Sequence, residues 1–212
     1  MMATEERIGV FGGTFDPVHL GHLVAAADLQ SALCLDLVLF VPAGRPPHKT
    51  SAIISDDLDR LAMLRLAIAG NPRFAIDTTD IDRTELSYTV ELLTRLSARL
   101  HPADLWFLMG EDSLRDLPGW RDPNRIARQA RIGVARRPGV DLDLPAVLAA
   151  VPDAAGRIDL VDSPLIDISA TDLRARVAAG RTISYQVPTA VEQYISEHRL
   201  YRPHPESPET RN

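Results

Sequence analysis

Gly12-Gly13-Thr14-Phe15-Asp16-Pro17-Val18-His19-Leu20-Gly21-His22 is the stretch around which the rest of the chain is arranged. Residues 7–11 before it are a short apolar run, which predicts a buried first strand. Residues 23–33 after it carry apolar side chains on nearly every side, which predicts a mostly buried helix. A strand, a glycine turn and a helix start form a ready anion site. The glycines let backbone N–H groups approach a phosphate, and the helix N-terminus adds its partial positive charge. His19 and His22 share one face of a helical turn and can point together at whatever Gly12 and Gly13 cradle. Gly21 between them removes a side chain where a flat group such as a nucleobase packs closely. A plain turn, or half of a His-x-x-His metal site, are the competing readings. With six histidines, one cysteine and no second cluster of metal-ligand type, the sequence favours phosphate chemistry.

Composition bounds the rest. A chain of 212 residues suits a single domain. Hydrophobic residues at 45% and charged residues at 25% are ordinary for a globular protein. A net charge of −6 argues against a broad nucleic-acid face, yet leaves room for a local anion site built from a few cations. Cys34 stands alone, so no internal disulfide forms, which fits a reducing compartment. At the end of an apolar helix it reads as a small buried hydrophobe. No secretory signal is visible, and no apolar run approaches the ~18 residues needed to span a bilayer, so a cytoplasmic location away from membranes is expected.

In chain order, residues 35–41 form a second apolar run, and the short helical segment before them predicts a right-handed βαβ crossover and a parallel sheet. A Pro/Gly-broken loop follows, Pro42-Ala43-Gly44-Arg45-Pro46-Pro47-His48-Lys49-Thr50, which either brings cations to the sheet edge where open α/β folds bind ligands or is simply a solvated loop. Residues 57–69 predict a helix capped by Asp56 or Ser55, with Leu61, Leu64 and Ile68 on one stripe. Residues 74–76 predict a third strand. A helix then opens at Ser87-Tyr88-Thr89, with Ser87 and Thr89 as candidate caps and Leu92, Leu93, Leu96 and Leu100 at core spacing. Residues 105–109 predict a fourth, fully buried strand that runs into Gly110-Glu111-Asp112-Ser113. A carboxylate just past a strand end is placed either to accept hydrogen bonds from ribose hydroxyls or to cap a helix. Trp120, in a Pro/Gly-broken segment, is either a stacking platform or a loop anchor. Residues 132–135 and 158–161 predict two more strands, with a short helix at 146–151 between them.

The second informative stretch is Ile168-Ser169-Ala170-Thr171-Asp172-Leu173-Arg174. Ser169 and Asp172 have capping-box spacing, so another helix starts here, and Arg174 one turn in can reach back toward an anion. Pro188 starts a last amphipathic helix with Val191, Tyr194 and Ile195. From Pro203 the chain is rich in Pro and Glu and reads as a disordered tail, so residues 1–202 form the expected domain.

Taken together, these motifs resemble the nucleotidyltransferase superfamily with a Rossmann-like fold. Within it the chain is similar to the bacterial nicotinate-nucleotide adenylyltransferase family. The finer similarity rests on Pro46-Pro47-His48-Lys49, Ser87-Tyr88-Thr89, Gly110-Glu111-Asp112 with Trp120 downstream, and Arg137-Pro138-Gly139. The sequence departs from that family's usual pattern at Ala170, Glu111 and Arg121, without losing a group the chemistry needs. A pantetheine-phosphate enzyme of the same superfamily usually carries Thr where His19 stands.

The resemblance implies an α/β, doubly wound parallel sheet flanked by helices. It implies adenylyl transfer from ATP to nicotinate mononucleotide, giving nicotinate adenine dinucleotide and pyrophosphate. His19, His22 and Arg174 would hold the triphosphate, supported by Gly12, Gly13, Thr14 and Phe15. Gly110 and Asp112 would hold the ribose, while Ile168, Ser169 and Thr171 would flank adenine and phosphates. Lys49, Thr89, Trp120 and Arg137 would serve the pyridine nucleotide. Mg²⁺ would ride on ATP oxygens rather than in a protein cage. ATP and nicotinate mononucleotide are the expected partners, with homo-oligomer formation left open. Competing readings are a cytidylyltransferase or another adenylyltransferase with a different phosphate acceptor, and a catalytically idle nucleotide-binding regulator. A dehydrogenase is disfavoured because no Gly-x-Gly-x-x-Gly follows the first strand.

Overall fold

The computed structural model describes residues 6–44, 55–83, 86–136, 142–164 and 166–202. Lys49, Arg137, the cation-bearing loop around Pro46-Pro47-His48 and the tail from Pro203 lie outside the described residues. Six strands make one parallel sheet: β1 (Arg7–Gly13), β2 (Leu37–Pro42), β3 (Phe74–Ile76), β4 (Asp104–Gly110), β5 (Arg131–Arg136) and β6 (Ile158–Asp162), in the order β3-β2-β1-β4-β5-β6. The helices are α1 (Leu20–Ala32), α2 (Asp57–Ile68), α3 (Thr89–Leu100), α4 (Glu111–Asp116), α5 (Pro123–Gln129), α6 (Leu144–Ala150), α7 (Ala170–Ala178) and α8 (Thr189–Glu197).

The unbroken apolar strands follow from a sheet covered on both faces. Along β4, Leu105, Phe107 and Met109 enter one core with Leu93 and Leu96 of α3, Leu114 of α4 and Ile126 of α5. Trp106 and Leu108, pointing the other way, enter a second core with Leu29 of α1, Met63 of α2, Leu173 of α7 and Val191 of α8. The fold is therefore the doubly wound α/β sheet that the sequence predicts. From β1 the chain winds outward to β2 and β3, then returns to place β4 on the other side of β1. The strand ends at β1 and β4 thus face connections leaving in opposite directions, and a crevice opens between them.

Local differences from the sequence reading have physical causes. α1 begins at Leu20, earlier than periodicity alone suggests, because His19 is the extended residue before it (φ −142°, ψ 169°). Neither Ser87 nor Thr89 caps α3: Tyr88 is the extended residue there, and it supplies no side-chain cap. Asp56 precedes α2 without capping it through its side chain. Cys34 is exposed, not buried, since it sits past the helix end in a left-handed turn (φ 49°) while its neighbour Leu35 takes the core position.

One residue in α2 escapes pattern reading. Arg60 is 0% exposed, and its Nη1 donates to the Thr14 carbonyl at 2.9 Å and to the Ala43 carbonyl at 2.7 Å. Its Nη2 pairs with Asp57, whose side chain is half exposed. A fixed planar fork suits this task, because one guanidinium reaches two carbonyls and a carboxylate at once. Arg60 therefore ties the loop after β1 to the loop after β2. Arg60→Met is expected to lower stability in urea unfolding by about 3 kcal/mol, because two buried carbonyls lose their donor. Asp57→Asn, at the exposed end of the pair, is expected to change it by less than about 1 kcal/mol.

Candidate active site

A cavity of about 290 Å³ lies in the crevice at the ends of β1 and β4. Gly12, His19 and His22 form one wall, Gly110, Asp112 and Ser113 a second, and Ala25, Ser163, Ile166 and Ile168 a third. The two imidazoles stack, with ring centres 3.6 Å apart and planes at 27°. The His19 backbone N–H donates to Nδ1 of His22 at 3.3 Å. A ring nitrogen that accepts carries no hydrogen, so in the neutral ring Nε2 holds the proton and is the donor. Edge contacts from Phe15 and Phe11, at 5.2 and 6.3 Å between centres, fix the His22 ring from the core side. Gly21 eases this packing: a Cβ there would stand 3.1 Å from Nδ1 of His19, and the ring would have to give way by a few tenths of an ångström. The nearest neighbour that exploits its missing side chain is thus a histidine ring of the protein itself.

The turn beneath this wall is held by buried polar groups. Phe15 is buried with φ 50°, and a Cβ on Gly13 would meet its ring at 2.9 Å. Asp16 is buried beside it and accepts from the Tyr201 hydroxyl at 2.7 Å and from the Ser55 N–H at 3.2 Å. Burial, and then the Asp16 carboxylate, push the Tyr201 phenol far above its ordinary value, so it stays a donor. Nη1 of Arg174 donates to the Asp16 carbonyl at 2.6 Å, and its Nη2 reaches Thr171 Oγ1 at 3.3 Å. The N-terminus of α7 is thereby joined to the glycine turn.

A second cavity of about 420 Å³ opens beside the first, lined by Ser87, Tyr88, Thr89, Gly119, Trp120, Arg121 and Ile126. Trp120 belongs to the walls of both cavities and packs edge-on against Phe107 at 6.0 Å. It is an anchored residue, the second of the two roles read from the sequence, and its ring stands at the junction of the cavities. Arg121 lies over the Tyr88 ring at 4.5 Å and pairs with Glu91 at 3.1 Å, so its charge stands at the rim.

A family model described as cytidylyltransferase-like matches residues 10–176, spanning both motif stretches. A "Probable nicotinate-nucleotide adenylyltransferase" of Thermomicrobium roseum is 56% identical over 196 residues, covering 92% of each chain. The chain belongs to the nicotinate-nucleotide adenylyltransferase family. Another member, from Thermus thermophilus, is 44% identical over 200 residues, covering 92% of this chain and all of its own. The structure of Plasmodium falciparum nicotinic acid mononucleotide adenylyltransferase complexed with NaAD shares the fold, with a TM-score of 0.76, 18% identity, and coverage of 93% of this chain and 98% of that one.

In this adenylyltransferase the first cavity brings together Gly12, His19, His22, Gly110, Asp112, Trp120 and Ile168, and the second brings Thr89 to Trp120. Gly13, Thr14, Phe15, Ser169, Thr171 and Arg174 are not in the cavity wall. Ser169 caps α7 by accepting from the Asp172 N–H at 3.1 Å, as its spacing predicts. Asp112 is not a cap, since Gly110 holds that place, and its carboxylate pairs with Arg115 in the first turn of α4. Ser163 and Ile166 line the site unannounced by any motif, and Ser113 lines it beside Asp112. Among the described residues, no group of three or more His, Cys, Asp or Glu side chains converges on a metal-holding point, and no helix is long and apolar enough to cross a membrane. Tyr201→Phe is expected to lower stability by about 2 kcal/mol in urea unfolding, because buried Asp16 loses one of its donors. Turnover should fall as well, with a smaller change in the KM for nucleotide, as the turn and Arg174 loosen together.

Proposed function

We propose that this enzyme transfers the adenylyl group of ATP to nicotinate mononucleotide, giving nicotinate adenine dinucleotide and pyrophosphate. The observation that carries the reading is the pair of cavities sharing Trp120, with the stacked histidines on the wall of the first. Two nucleotides lying in them would bring their phosphates together near His19 and His22. An oxygen of the acceptor phosphate attacks the α-phosphorus of ATP, and the bond from that phosphorus to the bridging oxygen breaks as pyrophosphate leaves. No protein nucleophile is needed, so the protein contributes positioning and stabilisation of developing charge.

Within this reading His22 donates from Nε2 to a phosphate oxygen, with His19 beside it. Gly12 permits close backbone approach, while Gly13, Thr14 and Phe15 shape the turn that carries it. Arg174 turns from the Asp16 carbonyl toward the triphosphate, or holds the turn in place through that carbonyl. Gly110 and Asp112 serve the ribose, and Ile168, Ser169 and Thr171 the adenosine end. Mg²⁺ supplies charge neutralisation on the triphosphate oxygens, a role that suits a site with Asp112 as a single exposed carboxylate rather than a cage. For the acceptor, Trp120 stacks on the pyridine ring, with Lys49 and Arg137 assigned by motif alone. The first turn of α3 offers backbone N–H groups near Thr89, where Tyr88 provides no side-chain cap. Donors of that kind accept a carboxylate and oppose the NH₂ of an amide.

The decisive assay follows pyrophosphate release from ATP and Mg²⁺ with nicotinate mononucleotide, nicotinamide mononucleotide, pantetheine phosphate or glycerol phosphate as acceptor. The acid nucleotide should exceed the amide by at least ~10²-fold in kcat/KM. Equal use of both, or a preference for either of the other acceptors, contradicts the reading. His22→Ala is expected to lower kcat by ~10²-fold or more with the fold intact. Trp120→Ala should raise the KM for the pyridine nucleotide far more than that for ATP, and an effect confined to ATP would remove Trp120 from the acceptor site.

A further inference from the structure

The third wall of the first cavity carries a feature that the transfer step does not use. Ser163, just past β6, is buried, and its hydroxyl donates to Oδ2 of Asp28 at 2.6 Å. Asp28 sits on α1, nearly two turns past His22. The Ser163 backbone is itself fixed, its N–H donating to the Arg136 carbonyl at 3.1 Å. A serine hydroxyl has one proton and two lone pairs, and a carboxylate only accepts. With its proton directed to Asp28, Ser163 presents to the cavity it lines only acceptor capacity. Around it that wall carries the apolar side chains of Ala25, Ala135, Ile166 and Ile168, which can pack against a flat ring.

On the proposed reading, phosphates lie at His19 and His22 and the sugar at Gly110 to Ser113, which leaves this wall for the base. We propose that Ser163, held in an acceptor-only state by Asp28, selects the base of the nucleotide donor. It accepts from the exocyclic amino group of adenine and rejects a purine with a carbonyl at that position. A 6-oxo purine would set acceptor against acceptor at the buried Ser163 hydroxyl, where an unmet polar group is costly. Ser163 is thus a specificity-determining residue, with Asp28 acting through it as a positioning residue. This assignment rests on the adenylyl-transfer reading for the direction in which the nucleotide lies.

The test compares ATP with ITP, in turnover with nicotinate mononucleotide and in calorimetric binding without acceptor. The wild-type enzyme should favour ATP by ~10²-fold in kcat/KM, the scale set by a site that matches one hydrogen-bonding pattern and opposes the other. Asp28→Asn is nearly isosteric, and its amide can donate to Ser163, which frees the hydroxyl proton to turn into the cavity. That variant should raise the use of ITP relative to ATP by ~10-fold or more. Ser163→Ala should lower ATP use and bring the ATP-to-ITP ratio toward one. Urea unfolding of both variants reports whether the fold is retained. If Ser163 merely ties β6 to α1, both nucleotides lose equally and the ratio is unchanged, which overturns the proposal. Wild-type enzyme that uses or binds ITP as well as ATP also overturns it. Preferential binding of ATP with no transfer to nicotinate mononucleotide leaves the base selection standing and refutes the transfer reading instead.

Discussion

A fully buried guanidinium holds the turn on which the site depends. Arg60 binds the carbonyls of Thr14 and Ala43, so the loops leaving β1 and β2 are fixed relative to each other. In the same turn, buried Asp16 is gripped through its carboxylate by Tyr201 and Ser55 and through its carbonyl by Arg174. Between these holds the chain adopts a left-handed conformation at Phe15, an uncommon one for a bulky side chain. That conformation sends the Phe15 ring inward against His22. The stacked histidine pair is therefore the visible end of a buried framework assembled from α2, α7 and the segment after α8.

Topology supplies the other half of the arrangement. Because β1 and β4 are neighbours whose connections leave in opposite directions, their ends stand apart and a cavity forms without distorting the sheet. The break after α4 at Leu117–Gly119 then carries Trp120 to the boundary of a second cavity at the start of α3. Two cavities thus meet at Trp120, the first walled by the histidines, an arrangement that suits group transfer between two bound substrates.

Much of this was legible in the sequence where the physics is local. Unbroken apolar runs marked β2 and β4 because both faces of a parallel sheet are covered. The His19/His22 spacing placed both rings on one turn, and Ser169 with Asp172 marked the start of α7. Contacts between distant residues were not legible. Asp28 and Ser163 are 135 positions apart, and Asp16 and Tyr201 are 185 apart, with nothing in either neighbourhood to announce the partner. Nothing in the sequence marks Arg60, since periodicity does not reveal the two loop carbonyls that its guanidinium meets. Hydroxyls misled where several adjoined: Ser87 and Thr89 both look like caps, yet backbone angles assign that place to Tyr88. Cys34 misled because residues past a helix end no longer follow the helix's buried face.

On the adenylyl-transfer reading one continuous site, bent at Trp120, holds both halves of the dinucleotide product with the pyrophosphate at the histidine pair. The most direct measurement is a crystal structure of this enzyme with nicotinate adenine dinucleotide bound. Adenine is expected beside Ser163 and Ile166, the pyrophosphate within hydrogen-bond reach of His22, and the pyridine ring against Trp120 with its carboxylate at the start of α3. A dinucleotide lying in a single cavity, or a pyrophosphate distant from both histidines, would contradict that reading.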